Sequence, residues 1–118
     1  MINTAQALYQ FWSSFGLEAY TVGTVPDEAQ LPYITYSLVE TEPLEPLTCY
    51  TQIWYRSTSN AALLAKTDEI MADLKNGVLI PCEGGSVALR GATVTLMTDL
   101  VPENRYAYIN MQINCYHT

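Results

Sequence analysis

Residues 48–77, TCYTQIWYRSTSNAALLAKTDEIMADLKNG, decide how this chain folds. The run from Cys49 to Arg56 is dense in β-branched and aromatic residues, which fit a pleated surface. Ser57-Thr58-Ser59-Asn60 follows, a break whose side-chain oxygens can accept the orphan N–H groups of a helix start. Beyond it Leu63, Leu64, Thr67, Ile70, Met71 and Leu74 recur at helical spacing, while Lys66, Glu69 and Asp73 fall on the other side. Asn76-Gly77 closes the helix, because glycine accepts the left-handed cap conformation and Lys75 lies near the negative helix end. A strand therefore feeds a helix that lies on a sheet. This is scaffold, not a reaction centre.

Upstream, Asn3 and Gln6 have the spacing of a capping box. Ala5, Leu8, Tyr9, Trp12 and Phe15 form the apolar stripe of the helix they start, and Gly16 stops it. Large aromatics at this spacing are a core stripe far more often than a ligand box. Residues 18–25 fit a short strand, and Pro26-Asp27-Glu28 a turn. Leu31-Pro32 opens the next strand, Tyr33 to Glu40, since proline is tolerated at a strand's first position. The proline-stiffened segment Glu42-Pro43-Leu44-Glu45-Pro46-Leu47 then joins two neighbouring antiparallel strands. With Glu40 it gathers three carboxylates, which read either as a solvated loop or as an acidic projection with a task.

Downstream, residues 78–81 are short enough only for an edge strand, and Gly84-Gly85 signals a hairpin. In the strand from Ser86 to Leu96 the apolar parity switches. Val87 and Leu89 lie on one alternation, Val94 and Leu96 on the other, and a bulge at Gly91 accounts for the switch. The last run has the clearest alternation in the protein. Ala107, Ile109, Met111, Ile113 and Cys115 point one way; Tyr106, Tyr108, Asn110, Gln112, Asn114 and Tyr116 point the other. That second face is polar yet uncharged, a composition that suits either partner contact or plain exposure. Two helices cannot cover both faces of such a sheet. The expected architecture is one α+β domain over residues 1–118, a mixed, mainly antiparallel sheet of five to six strands with both helices on one face.

Composition bounds the function. The 118 residues suffice to bury roughly two-thirds of the unfolded surface. Charged residues make up only 14%, against about 25% in ordinary soluble domains, so Thr, Asn, Gln and Tyr must supply polar surface. Five basic residues against 12 acidic give a net charge of −7, which disfavours tight binding of nucleic acid. Cys49, Cys82 and Cys115 are odd in number and widely spaced, the pattern of a reducing compartment rather than of a disulfide framework. With neither a signal peptide nor a membrane-spanning run in view, the expectation is a cytosolic protein.

Chemistry finds little purchase in the sequence. His117, the only histidine, lacks the local partners of a catalytic triad. Cys115 and His117 lie on one face of a strand, but a zinc site needs two more ligands. Gly84-Gly85 lacks the Lys-Ser/Thr and helix of a phosphate loop. The expectation is a protein without catalytic activity, cofactor or metal.

The order of elements resembles the small tail-completion proteins of long-tailed phages, the tail terminator and related head–tail joining proteins often carried by prophages. The likeness runs through nearly the whole chain. It is carried by the amphipathic N-terminal helix, by Leu31-Pro32-Tyr33-Ile34-Thr35-Tyr36, and by Ile53-Trp54-Tyr55-Arg56 passing through the Ser/Asn break into the helix 61–74. Arg105-Tyr106-Ala107-Tyr108-Ile109 completes it. The resemblance implies an α+β subunit of a homo-oligomeric, six-fold ring that ends the tail tube and docks on the neck proteins of the head. Its partners would be its own copies, the tail tube protein and the head–tail connector proteins, with DNA only in passage and no membrane. It would assemble in the host cytoplasm and reside in the virion. The family has no fixed functional motif, so no residue is carried over. Two placements fit the implied ring: Tyr106, Tyr108, Asn110, Gln112 and Asn114 as a subunit or tube contact, and Glu40, Glu42 and Glu45 as an acidic rim of the DNA channel. The alternative is a cytosolic ligand-binding α+β domain with a pocket between the N-terminal aromatics and the sheet; a metal-binding module using the cysteines is a third reading.

Overall fold

The alternating run near the C-terminus becomes one of the two central strands of a six-stranded sheet. The computed structural model describes residues 3–37, 46–57, 59–99 and 103–117. In chain order the elements are α1 (Thr4–Ser13), β1 (Glu18–Thr21), β2 (Tyr33–Tyr36), β3 (Leu47–Arg56), α2 (Ala61–Leu74), β4 (Val78–Cys82), β5 (Gly85–Thr98) and β6 (Asn104–His117). The sheet order is β1-β2-β3-β6-β5-β4; β1 and β2 run parallel and every other pairing is antiparallel. The α+β class and its mixed, mainly antiparallel sheet are thus as the sequence implies.

One side of the sheet makes the core. Ile53 pairs with Ala107, Thr51 with Ile109 and Cys49 with Met111, while Leu89 pairs with Ile113 and Val87 with Cys115. These residues are buried together with Ala7, Leu8 and Trp12 of α1 and Leu63, Ile70 and Leu74 of α2. Both helices therefore lie on the same side. Lys66 links them, its Nζ donating to the carbonyl oxygen of Phe15 at 2.8 Å and to Glu69 at 2.9 Å. Among the described residues no helix is long and apolar enough to cross a membrane.

The capping signals act as their chemistry dictates, with one exchange. Asn3 and Gln6 form a reciprocal capping box at 2.9 and 3.0 Å. At α2 the N-cap residue Asn60 makes no side-chain cap bond. Ser59 Oγ accepts from the Ala61 N–H instead, and Asn60 Oδ1 accepts from Arg105. A cationic donor on β6 outcompetes the weaker helix N–H. Gly77, at φ +83°, closes α2 by donating to the Leu74 carbonyl.

The helix faces need correction. On α1 the buried face is Ala7, Leu8 and Trp12, joined by Phe15 beyond the helix end, whereas Ala5 is exposed and Tyr9 is 48% exposed. On α2 Leu64 is exposed, while Thr67 is buried as expected, its hydroxyl satisfied by the Leu63 carbonyl. Both helices contact the sheet along a narrow stripe, so a residue one position off it remains in solvent. Strand β1 ends at Thr21 rather than Val25, because Gly23 at φ +87° turns the chain and Thr24 bonds back to the Thr21 carbonyl. Strand β2 spans Tyr33–Tyr36; the rest of the segment expected to extend to Glu40 lies, from residue 38, outside the described residues.

Beyond the helices β5 and β6 continue as a long hairpin, and the molecule measures 47 × 29 × 22 Å. The bulge expected at Gly91 is present: the register shifts between Arg90 and Thr93, with Gly91 at φ +69°. It returns Val94 and Leu96 to the helix-bearing side, across from Ile109 and Ala107. Neither helix covers them, and both are exposed.

Candidate functional site

The side of the sheet without helices is the most distinctive surface of the protein. Its residues alternate with the core residues of the same strands, so the pattern that builds the core also builds this face. Tyr50, Gln52 and Trp54 of β3 lie beside Asn110, Tyr108 and Tyr106 of β6. Tyr33 and Thr35 of β2 and Tyr20 of β1 continue the surface outward. Trp54 stacks on Tyr106 with centroids 4.3 Å apart, and Tyr50 on Tyr108 at 5.4 Å. Tyr20 and Tyr33 meet edge to face at 5.7 Å. Such geometries each add about 0.5–1.5 kcal/mol beyond burial and hold the rings in fixed orientations.

A short polar chain ties the aromatics to the backbone scaffold. Trp54 Nε1 donates to Thr35 Oγ1 at 3.1 Å, and Thr35 Oγ1 donates to Gln52 Oε1 at 3.2 Å. Charge is confined to the margins: Glu18 on β1, Arg56 at the end of β3 and Arg90 on β5. The centre carries rings, amides and hydroxyls. It can stack and hydrogen-bond.

Four of the five residues singled out on the last strand belong to this surface. Tyr106 and Tyr108 are half-buried by their stacking partners, and Asn110 and Gln112 are exposed. Asn114 does not belong. It is 2% exposed, beside Ala88 of β5, and its Oδ1 lacks a hydrogen-bond partner. Glu40, Glu42 and Glu45 lie outside the described residues. Sequence reasoning missed Tyr20, Tyr33, Thr35, Tyr50 and Trp54. The signal was present on β3, where Cys49, Thr51 and Ile53 alternate with Tyr50, Gln52 and Trp54 just as in β6.

Among the described residues, clefts border the face, a shallow one of about 180 Å³ among Thr93, Asn110 and Gln112 and two larger ones. One of about 450 Å³ lies among Leu31, Tyr33, Arg56 and Asn104. The other, about 390 Å³, lies at the β4 margin among Leu79, Ala88, Arg90 and Tyr116. The pocket proposed between the N-terminal aromatics and the sheet is filled by the protein's own side chains: Trp12 stacks over Tyr36 and packs beside Phe15. Burial raises the pKa of Tyr36 there, and Tyr9 adds to the shift.

The three cysteines are all buried. Burial pushes the Cys49 thiol up to about 11, the opposite of what a nucleophile or a metal ligand requires. Among the described residues no group of three or more His, Cys, Asp or Glu side chains is placed to hold a metal. No protein-family model matches the chain, and no curated protein is similar to it.

Proposed function

We propose that the chain is a non-catalytic structural subunit of a phage or prophage particle, one copy in a ring that ends the tail tube and joins it to the neck of the head. The observation that carries this reading is the centrally uncharged face of stacked aromatics on β3 and β6, which no helix covers among the described residues. Interfaces are enriched in Tyr and Trp and depleted of Lys, Glu and Asp at their centres. Rings already held by stacking lose little freedom on contact, which lowers the cost of association. In the ring this face, with Tyr106, Tyr108, Asn110 and Gln112, meets a neighbouring subunit or the tube. The acidic segment with Glu40, Glu42 and Glu45, which joins β2 to β3, borders the channel and repels DNA phosphates in passage. The protein acts through geometry and interfaces, assembling in the host cytoplasm and remaining in the virion.

Light scattering on a size-exclusion column over a range of concentrations, with and without tail tube protein, tests the reading. A discrete ring-sized species, visible as rings by negative stain, is the expected result. A strict monomer in both settings removes it. Tyr108→Asp with Asn110→Asp is expected to abolish assembly; intact assembly would withdraw the face as contact. Glu42→Lys with Glu45→Lys is expected to slow DNA delivery, and unchanged delivery would withdraw the channel placement.

A further inference from the structure

We infer that the outer edge of β5 from Ala92 to Thr98 pairs with the same edge of a second copy of this chain, antiparallel about a two-fold axis at Thr95. β4 covers β5 only over Gly85–Leu89, and β6 satisfies the inner edge. From Arg90 onward no strand among the described residues lies on the outer side. An unpaired edge presents N–H and C=O groups to any other strand, and proteins commonly blunt one with charge, proline or a covering element. ATVTLMT, residues 92–98, carries neither charge nor proline. Its side chains are exposed except for half-buried Ala92. Val94, Leu96 and Met97 are among the exposed large apolar residues of the protein.

The faces determine the register. Val94 and Leu96 lie on the helix-bearing side, across from Ile109 and Ala107; Thr93, Thr95 and Met97 lie on the open side, across from Asn110, Tyr108 and Tyr106. With Thr95 opposite the partner's Thr95, Val94 faces the partner's Leu96 on one side and Thr93 faces the partner's Met97 on the other. A one-residue slip would set helix-side residues against open-side ones. A two-residue slip leaves Leu96 against Ala92, or Val94 against Thr98. The Thr95-centred register alone sets Val94 and Leu96, the two large apolar residues of that side, against each other.

Charge selects the same occupant. Continuing the alternation, Asp99 falls opposite the partner's Gly91, next to the partner's Arg90, and the two-fold axis makes this contact twice. Arg90 and Asp99 are both exposed and form no ion pair within the chain among the described residues. Opposite charges flanking an uncharged strand edge favour a self-complementary pair and discourage other registers. The inference does not rest on the ring: an isologous strand pair makes dimers, whereas a ring needs heterologous contacts.

Thiol crosslinking tests the register directly, since the native cysteines are buried. Thr95→Cys with a short bis-maleimide is expected to give covalent dimers. Thr93→Cys and Met97→Cys are expected to crosslink poorly alone and efficiently when mixed. Leu96→Lys, at an exposed position, is expected to raise the dimer dissociation constant at least about tenfold in sedimentation, with the melting of the dilute monomer unchanged. A wild-type chain that remains monomeric to its solubility limit overturns the inference. So does a dimer that Leu96→Lys leaves intact, or one that Thr95→Cys fails to crosslink. Rings without the Thr95 crosslink would leave the ring reading standing and remove this one; crosslinked dimers that never form rings, even with tube protein, would do the reverse.

Discussion

Replacing Thr35 with Val tests whether the aromatic face is held in place from below. Thr35 is 6% exposed and its hydroxyl stands between the Trp54 indole and the Gln52 amide. Valine preserves the branched shape and the strand preference while deleting both hydrogen bonds. Gln52 and the half-buried Trp54 recover part of the loss from water, so the net cost is about 1–2 kcal/mol. At about 2.1 cal/mol/K per residue, the unfolding entropy of this chain is roughly 0.25 kcal/mol/K, so the melting temperature falls by about 4–8 °C. Calorimetry on dilute protein keeps association out of the measurement. Thr35→Ser retains the hydroxyl and is expected to recover most of the loss. In a Trp54→Phe background, where the donor is absent, Thr35→Val is expected to cost less by about 0.5–1.5 kcal/mol, the coupling of the pair. A Thr35→Val melting temperature within about 1 °C of wild type would refute the idea that this chain anchors the face.

Gly91→Ala is expected to cost about 1–2 kcal/mol by thermal melting, because a side chain is strained at φ +69° although its Cβ would meet nothing within 4 Å. Gly91→Asn should cost less, since Asn visits that conformation more readily. Tyr9→Gln should change stability by less than about 0.5 kcal/mol, and Trp12→Ala should cost about 3–5 kcal/mol, which separates the true buried stripe of α1 from its exposed aromatic. For Cys49, the folded pKa of about 11 exceeds its ordinary value of 9.0, so the folded state keeps a proton that the unfolded state loses. The resulting stability is full below pH 9 and is lost between pH 9 and pH 11, about 2–3 kcal/mol in all. Urea unfolding at pH 8.5 and pH 11 should show a loss smaller by that amount in Cys49→Ala than in wild type, the remainder including Tyr36, whose pKa burial also raises.

Faces were legible in the sequence; neighbours were not. The alternation in 106–116 gave the correct core residues, and the parity switch around Gly91 located the bulge, since a period of two records which way each side chain points. The same period does not record which strand lies alongside. The placement of β6 between β3 and β5, and the parallel pairing of β1 with β2, depend on long-range packing that no local pattern encodes. The stripe errors on α1 and α2 arose because a three-turn helix repeats its period too few times to separate Tyr9 from Ala7. Asn114 sits in the polar register of its strand and is nevertheless buried, which alternation alone does not reveal. The exposed arm was illegible for a related reason: Val94 and Leu96 have the pattern of a core strand, and only the extent of the helices leaves them bare.

The distribution of basic residues sharpens what the net charge of −7 means. Lys66 is committed to the Phe15 carbonyl and Glu69, where it joins the two helices. Arg105 is committed to the Ser57 carbonyl and Asn60, where it anchors the start of α2. Of the five basic side chains, Arg56, Lys75 and Arg90 remain exposed, on different elements. Among the described residues these three form no basic stripe, the feature that neutralises a run of phosphates in tight DNA binders. The open face, meanwhile, is built from groups that stack and accept hydrogen bonds without carrying charge. A surface of that kind has the composition of a protein interface centre, rich in Tyr and Trp and poor in charge. In the proposed ring this division of labour gives the aromatic rings the subunit contacts and leaves the DNA path without a basic stripe.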